Sequence, residues 1–494
     1  METSSSVVLR NVLNLGVAQV ATTLLGILGT AALGRSLGPS DFGILYLVFA
    51  ISGFVGVIVD WGQGTYVVRE IARGRSDEPV LIGSVLLFRA ISTTFAAIVA
   101  ALVALVSSYD SRIVLLAPLA VLVALPATLY PALGFVLRAT DRMGLDAAVN
   151  VFYKAVNLVA ILGVLYLGGG LTDVILAQCV GGVGLLVVSA WIAVRLELAV
   201  KLPTLGVLWE LTRSGTPIFL YTLTNGFQPF VEVMILSTLT GPEVVGWYGA
   251  FRTIFSIMLS PAMILAQASL PQLSRASLSL PDFRRVLNST ARILLLAAAF
   301  ASASLYNFGD RIVAIIFGHG HFQETAVILR VGALVLPLLF LGYLLGTALS
   351  AVGRNKQLAF TTGIAVLGSV AMSWFAIPFF QAHYGNGGLA LVVISGVAEI
   401  VVLLAFVALL PRGSAGWAMP VNLVRACTVS IGTVLLLSAV PLLELWILVP
   451  LFVLTFSLLA LFTGLMSTKD LEAGLMWLRN LKSTFRKTSS GLNS

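Results

Sequence analysis

The chain has 494 residues, 59% of them hydrophobic and only 10% charged, with a mean hydropathy of +1.02. That composition excludes a soluble globular domain and means transmembrane helices in series. The net charge of +8 would suit a nucleic-acid binder, but the placement of the basic residues, set out below, excludes nucleic acid as a partner.

Apolar stretches of spanning length predict fourteen helices, at about 11–34, 42–66, 80–107, 113–137, 146–168, 172–194, 214–239, 244–268, 288–308, 323–350, 357–380, 387–410, 422–440 and 442–465. The first stretch is too long and too Gly-rich at its end for a cleaved signal peptide, so it is expected to remain as the first helix. When the helices alternate in direction, one side collects Arg10, Arg69, Arg73, Arg75, Arg138, Arg142, Arg195, Lys201, Arg213, Arg275, Arg284, Arg285, Arg292, Arg354, Lys356 and Arg412, with Lys469, Arg479, Lys482, Arg486 and Lys487 of the tail. Those are 21 of the 29 Lys and Arg residues, against Arg35, Arg112 and Arg311 on the other side. The positive-inside rule then puts both termini in the cytoplasm of a multi-pass inner (plasma) membrane protein.

The chain also repeats itself. Gly38-Pro39 and Gly241-Pro242 are its only Gly-Pro pairs, and Gly38, Pro39 and Gly43 become Gly241, Pro242 and Gly246 at a constant step of 203 residues. The same step carries Arg89 onto Arg292. A step of 212 carries Leu133, Gly134, Leu137, Ala139 and Arg142 onto Leu345, Gly346, Leu349, Ala351 and Arg354. The expected fold is an all-α polytopic membrane protein with fourteen transmembrane helices: two parallel six-helix repeats plus two extra C-terminal helices. Its expected divisions are an N-terminal lobe at 1–200, a C-terminal lobe at 201–411, the two additional helices at 412–466, and a basic amphipathic cytoplasmic tail at 467–494. The Gly-Pro string is a structural device, in which Gly ends one helix and Pro begins the next where its missing N–H costs nothing. In the tail, Leu471, Leu475, Leu478, Leu481 and Phe485 recur at helical spacing, as in an interfacial helix on an anionic leaflet; a solubilising basic tail is the competing reading.

No Walker motif, nucleophile elbow, paired metal ligands or Asp-x-Asp string is present, and no loop is long enough to hold a catalytic domain, so no enzyme and no cofactor are expected. Cys179 and Cys427 read as buried thiols without pairing logic. His319-Gly320-His321 lacks carboxylate or Cys companions and reads as a solvated loop rather than a metal site.

Charges within apolar spans are costly, so they normally face a partner or a water-filled cavity. Arg89, Lys154 and Arg252 lie two turns or more from either water side, and Arg292 lies one turn in. These four are the candidate substrate contacts of a cationic cavity. Arg330 and Arg425 lie near enough to helix ends to snorkel. Asp60, Glu232 and Glu399 are either candidate coupling sites for H+ or Na+ or the counter-charges of the arginines. A basic interior favours an anionic passenger, and the guanidinium fork suits phosphate oxygens.

The order and spacing of these features resemble the polysaccharide repeat-unit flippases of the multidrug/oligosaccharidyl-lipid/polysaccharide (MOP) superfamily. The residues concerned are Leu37-Gly38-Pro39-Ser40-Asp41-Phe42-Gly43, Asp60-Trp61-Gly62, Arg69-Glu70-Ile71-Ala72-Arg73, the run from Glu232 to Arg252, Phe317-Gly318 and Ala351-Val352-Gly353-Arg354. The resemblance covers about residues 8 to 410. It implies transport of an undecaprenyl-diphosphate-linked, anionic oligosaccharide from the inner to the outer leaflet, by alternating access between two lobes, within the machinery that includes a polysaccharide polymerase. It also identifies Glu232 with the family's frequent seventh-helix acid and Arg252 with the basic position of the eighth. A lipid II flippase shares this outline but would be expected to carry charges deep in its first helix. A multidrug exporter would carry an acidic cavity, and a polymerase or ligase a long outward loop.

Overall fold

The longest helical run of the protein breaks at Gly38. In the computed structural model, which describes residues 4–225, 227–414, 416–439 and 444–467, α1 extends over Ser4–Asp60, with non-helical dihedrals only at Gly38, φ 71 and ψ 175. A positive φ there suits a residue without Cβ. In the second copy of the motif the break falls on Thr240, extended at φ −140 and ψ 175, so the left-handed freedom of glycine is used in the first copy only.

Sixteen further helices follow: α2 Gln63–Ala72, α3 Glu78–Val106, α4 Ser111–Val123, α5 Leu125–Leu129, α6 Pro131–Ala139, α7 Met143–Tyr166, α8 Leu171–Arg195, α9 Leu205–Asn225, α10 Gln228–Leu239, α11 Pro242–Ala276, α12 Leu280–Phe317, α13 Gln323–Ala351, α14 Asn355–Tyr384, α15 Gly388–Leu409, α16 Ala418–Ser438 and α17 Leu445–Phe462. No strand occurs among the described residues. Among the described residues, eleven helices are long and apolar enough to cross a membrane, or twelve when Ser111–Val123 and Leu125–Ala139, bent by 41°, count as one span.

That number differs from the fourteen expected, for reasons legible in the backbone. The first two expected spans share the run of α1, with Gly38 as the only interruption. The expected seventh span, 214–239, is divided into α9 and α10, and Pro229 sits in the first turn of α10, where its missing N–H is tolerated. The expected fourth span, 113–137, is interrupted twice, with Pro126 and Pro131 each opening a new helix. The tail residues Leu471 to Phe485 lie outside the described residues.

Two compact units make up the chain. Unit 1 holds residues 1–254, 312–328 and 366–394; unit 2 holds 255–311, 329–365 and 395–494. In unit 1 the two copies of the Gly-Pro motif meet each other. A Cβ placed on Gly43 would stand 1.8 Å from the carbonyl oxygen of Pro242, and one placed on Gly246 would stand 2.0 Å from that of Pro39. Both contacts pair the same two positions of the repeat, so the approach is reciprocal, backbone against backbone, as small residues permit between membrane helices. Phe42 lies edge-on to Phe317 and Phe322, each at 5.9 Å, and those two stack at 4.7 Å. Arg35 donates to the carbonyls of Ile315 and Ile316, the latter at 3.0 Å, and Trp247 Nε1 donates to that of His321 at 3.1 Å.

A second close approach lies at the C-terminal end of α1. Trp61 and Gly62 both take positive φ, at 43 and 66, and separate α1 from α2. A Cβ on Gly215 of α9 would lie 2.2 Å from Trp61 O, and one on Gly62 would lie 2.7 Å from Gly215 O. The Trp61 indole stacks on Phe219 at 4.1 Å and 9°, and its N–H points at Thr212 O and Thr216 Oγ1, 3.2 and 3.3 Å away.

In unit 2 the additional helices α16 and α17 dock on α12. Phe300 meets Phe452 at 5.3 Å and Phe456 at 5.2 Å, and Ser430 Oγ donates to Ala299 O at 3.2 Å. Cys427 is exposed rather than buried, because a lipid-facing position and a core position are equally apolar in sequence; Cys179 is half-buried, and both are free thiols.

The reciprocal contact predicts a sharp contrast between two glycines. Gly43→Ala places a methyl on Pro242 O and is expected to cost about 1–3 kcal/mol, seen as a lower melting temperature in detergent. Gly56→Ala, with nothing within 4 Å, should leave that temperature unchanged or slightly raised.

Candidate functional site

The intramembrane charges of unit 1 fall into two assemblies. The first is built where α1 ends and α4 to α6 are broken. Arg89 of α3 is buried, its side chain 4% exposed, and Nη2 donates to Asp60 Oδ1 at 2.6 Å. Nη1 donates to Thr128 O at 3.1 Å, in the five-residue α5. The Thr93 hydroxyl donates to Arg89 O at 2.6 Å and lies 3.1 Å from that of Thr128. The guanidiniums of Arg89 and Arg138 both lie over the Phe135 ring, at 5.6 and 5.3 Å, where a ring face attracts cations. Asp146 faces Arg138 at 3.6 Å and accepts the Tyr130 hydroxyl. Arg89 Nε and the amide of Gln63, which is fully buried, have no hydrogen-bond partner among the described residues. Arg89 is therefore a held cation, and Asp60, 60% exposed, is the accessible member of the pair.

The second assembly joins α10, α11 and the second half of α1. Glu232 is buried and accepts from Gln228 Nε2 at 2.7 Å and from the Tyr248 hydroxyl at 3.1 Å. Arg252 of α11 is half-buried, one helical turn beyond Tyr248. The Tyr46 ring fills the space beside Gly249, whose Cβ would fall 2.7 Å from Cγ.

Of the charged residues named from sequence, the fold joins Arg89 directly to Asp60, while Glu232 is bound by Gln228 and Tyr248. Lys154 stands apart from them: it is exposed on α7 with no ion pair among the described residues. Arg292 and Glu399 belong to unit 2, both half-buried, with Glu399 close against Gly342. Also in unit 2, Arg330 is paired with Asp310, and Arg425 reaches Asn422 Oδ1 at 3.4 Å and Gly464 O at 3.5 Å. His319 and His321 are exposed, and no group of three metal-ligating side chains occurs among the described residues.

Sequence reading missed the tyrosines. Gln228 and Tyr248 carry signals in hindsight, because Gln228–Glu232 and Tyr248–Arg252 are both spaced i, i+4 on one helix face. Tyr46 carried none, since Gly249, against which its ring packs, is more than 200 residues away. A polar network outside the apolar spans was missed too. Arg75 donates to both oxygens of Glu210, at 3.0 and 2.9 Å, to Asp77, and to the Tyr66 hydroxyl at 2.8 Å. These bonds hold the carboxyls of Asp77 and Glu210 below the usual carboxylate range and raise the Arg75 guanidinium further. The network ties the turn after α2 to α9.

An all-helical chain of many apolar spans defines a polytopic membrane protein. Residues 8–277 match the family of polysaccharide biosynthesis proteins, and the chain belongs to that family. Its fold is that of the MOP superfamily of transporters. The lipid II flippase MurJ in an inward closed conformation superposes with a TM-score of 0.72 at 12% identity, over 90% of this chain and 97% of that one. A multidrug resistance MATE family transporter in an inward-facing conformation gives 0.61 at 17% identity, over 78% and 93%. A MOP superfamily transporter from Pyrococcus furiosus, described as having a binding pocket of reverse polarity, gives 0.53 at 15% identity, over 85% and 96%. No curated protein matches the chain in sequence.

Since Arg89 holds both Asp60 and a carbonyl between two helix breaks, Arg89→Met is expected to cost about 1–3 kcal/mol of stability. The double variant with Asp60→Asn should lose less than the sum of the two single losses, because one interaction is removed twice. Melting temperatures of the four proteins of this cycle in detergent measure the coupling.

Proposed function

We propose that the protein moves a lipid-diphosphate-linked oligosaccharide from the inner to the outer leaflet of the plasma membrane for assembly of cell-surface polysaccharide. Membership of the polysaccharide biosynthesis family carries this reading. In it, the lobes at 1–200 and 201–411 alternate access to a cationic cavity, both termini face the cytoplasm, and released substrate passes to a polymerase. The transporter fold and the net basic sign of the intramembrane charges support it, because a diphosphate brings two negative charges that need donors in a low-dielectric path.

Among the residues proposed for the passenger, the roles divide by environment. Half-buried Arg252 brings a charged donor fork to a phosphate, and Lys154 is exposed on α7. Arg89 is committed to Asp60, so it acts on the passenger by fixing that exposed carboxylate. Arg292 is the repeat partner of Arg89 in unit 2. Asp60, Glu232 and Glu399 are proposed as coupling sites for H+ or Na+, each an acid at or near other polar groups inside a span. A lipid II flippase is the second reading, supported by the likeness to MurJ in fold; its passenger shares the lipid diphosphate and differs in the glycan. No catalytic step is assigned to the chain.

In a host lacking its own copy of the gene, wild-type protein should restore surface polymer. Arg252→Ala should reach the membrane in normal amount and lower polymer by more than about tenfold, the loss that follows when a charge-assisted contact worth about 1.4 kcal/mol is removed. Immunoblots of membranes and of surface polysaccharide measure both. Normal polymer from Arg252→Ala combined with Lys154→Ala would contradict the cationic path.

A further inference from the structure

The part of α1 beyond Gly38 meets the second repeat at both of its ends, by different means. At the Gly-Pro end the contact is backbone on backbone, Gly43 against Pro242 O and Gly246 against Pro39 O. At the Trp61 end a similar contact, Gly62 against Gly215 O, continues into a layered seam between α2 and α9. Trp61 stacks on Phe219, and Val67 and Ile71 of α2 share one buried cluster with Val207 and Leu211 of α9. Beyond those apolar layers the seam is closed by charge.

The charged layer is built from both repeats. Glu210 of α9 accepts at Oε1 from the Tyr66 hydroxyl, at 2.5 Å, and from Arg75 Nη1, at 3.0 Å, and at Oε2 from Arg75 Nη2, at 2.9 Å. Arg75 is oriented by its own side of the seam. Its Nε and Nη2 also donate to Asp77, the latter at 2.9 Å, and Nη1 donates to the Tyr66 hydroxyl at 2.8 Å. A fork held ready by the first repeat thus grips one carboxylate of the second with a bidentate pair. The Arg75 and Glu210 side chains are 16% and 44% exposed. Water reaches them when the pair parts, so opening here costs far less than separating a fully buried pair.

The duplication shows that this layer is no part of the shared scaffold. The step of 203 residues carries Tyr66, Arg75 and Asp77 onto Ser269, Leu278 and Leu280. Two leucines and a serine cannot build such a network. The first repeat has gained it at one end only.

We propose that the Arg75–Glu210 fork is a releasable clasp that holds the Trp61 end of the seam shut. Asp60, the accessible acid of the site, directly precedes Trp61, so the clasp closes the end at which that carboxylate lies. Its purpose rests on the transport reading, in which one end parts while the other stays closed. The fork itself rests on the bonds alone.

Pulsed electron paramagnetic resonance on full-length protein in proteoliposomes, with Cys179 and Cys427 replaced by Ser, tests this. Spin labels at the exposed positions Ala72 and Leu205 report the Trp61 end, and a second pair at exposed Ser40 and Glu243 reports the Gly-Pro end. Without further substitution each pair should give one short, narrow distance. Glu210→Gln and Arg75→Gln should each raise the long-distance population between Ala72 and Leu205 by about tenfold, as loss of a charge-assisted fork implies. The Ser40–Glu243 distance should stay as it was. An unchanged Ala72–Leu205 distribution in either variant overturns the clasp. Lengthening of both pairs together overturns it as well, because that is a general loss of packing rather than release of one end. No substrate is present, so a failed clasp leaves the transport reading standing, and failed translocation leaves the clasp standing.

Discussion

Two carbonyl oxygens, of Pro39 and Pro242, occupy space that a β-carbon at Gly246 or Gly43 would fill. Much of unit 1 follows from this approach. Helices can pack backbone to backbone only where both sides lack side chains, and here both sides are the same motif of a duplicated sequence. The motif thus does more than end one helix and start the next. It is the surface on which one copy meets the other, with Phe42, Phe317, Phe322 and Trp247 gathered around it. One turn deeper the symmetry is broken, because Tyr46 takes the place that Gly249 leaves, and the polar cluster begins there.

The charges obey a second constraint, the cost of an ion in an apolar interior. Arg89 has met it by finding partners, a carboxylate and a carbonyl that lies between two helix breaks. Those bonds matter for a passenger. A guanidinium already bonded to carboxylate and carbonyl has fewer donors left to offer a phosphate. The proposed transport path therefore leans less on Arg89 than its place as an isolated charge in an apolar span suggests.

Much of the fold was legible in sequence because hydrophobic length and loop charge are local properties. The apolar stretches, the Gly-Pro breaks and the all-helical class follow from residues close in the chain. The places where spans divide were less legible: Pro229, Pro126 and Pro131 sit inside stretches whose hydropathy alone runs on. In the site, Arg89, Arg252, Asp60 and Glu232 were visible because a charge in an apolar span stands out. Tyr46 and Tyr248 were not, since tyrosine is unremarkable in a membrane helix and its role depends on a partner brought close by the fold. The Arg75–Glu210 network escaped for the opposite reason, as charges near a membrane face are expected there and need no pairing.

The most direct measurement of the central claim is translocation by purified protein. Undecaprenyl-diphosphate carrying a fluorescent oligosaccharide would be placed in both leaflets of sealed proteoliposomes, and an added membrane-impermeant quencher would report how much reaches the outer leaflet over time. The transport account predicts quenching beyond the initially outer-facing half with wild-type protein, and only that half with Arg252→Ala or with empty liposomes. Quenching that stops at the outer half with wild-type protein, under an imposed H+ or Na+ gradient as well as without one, would contradict it.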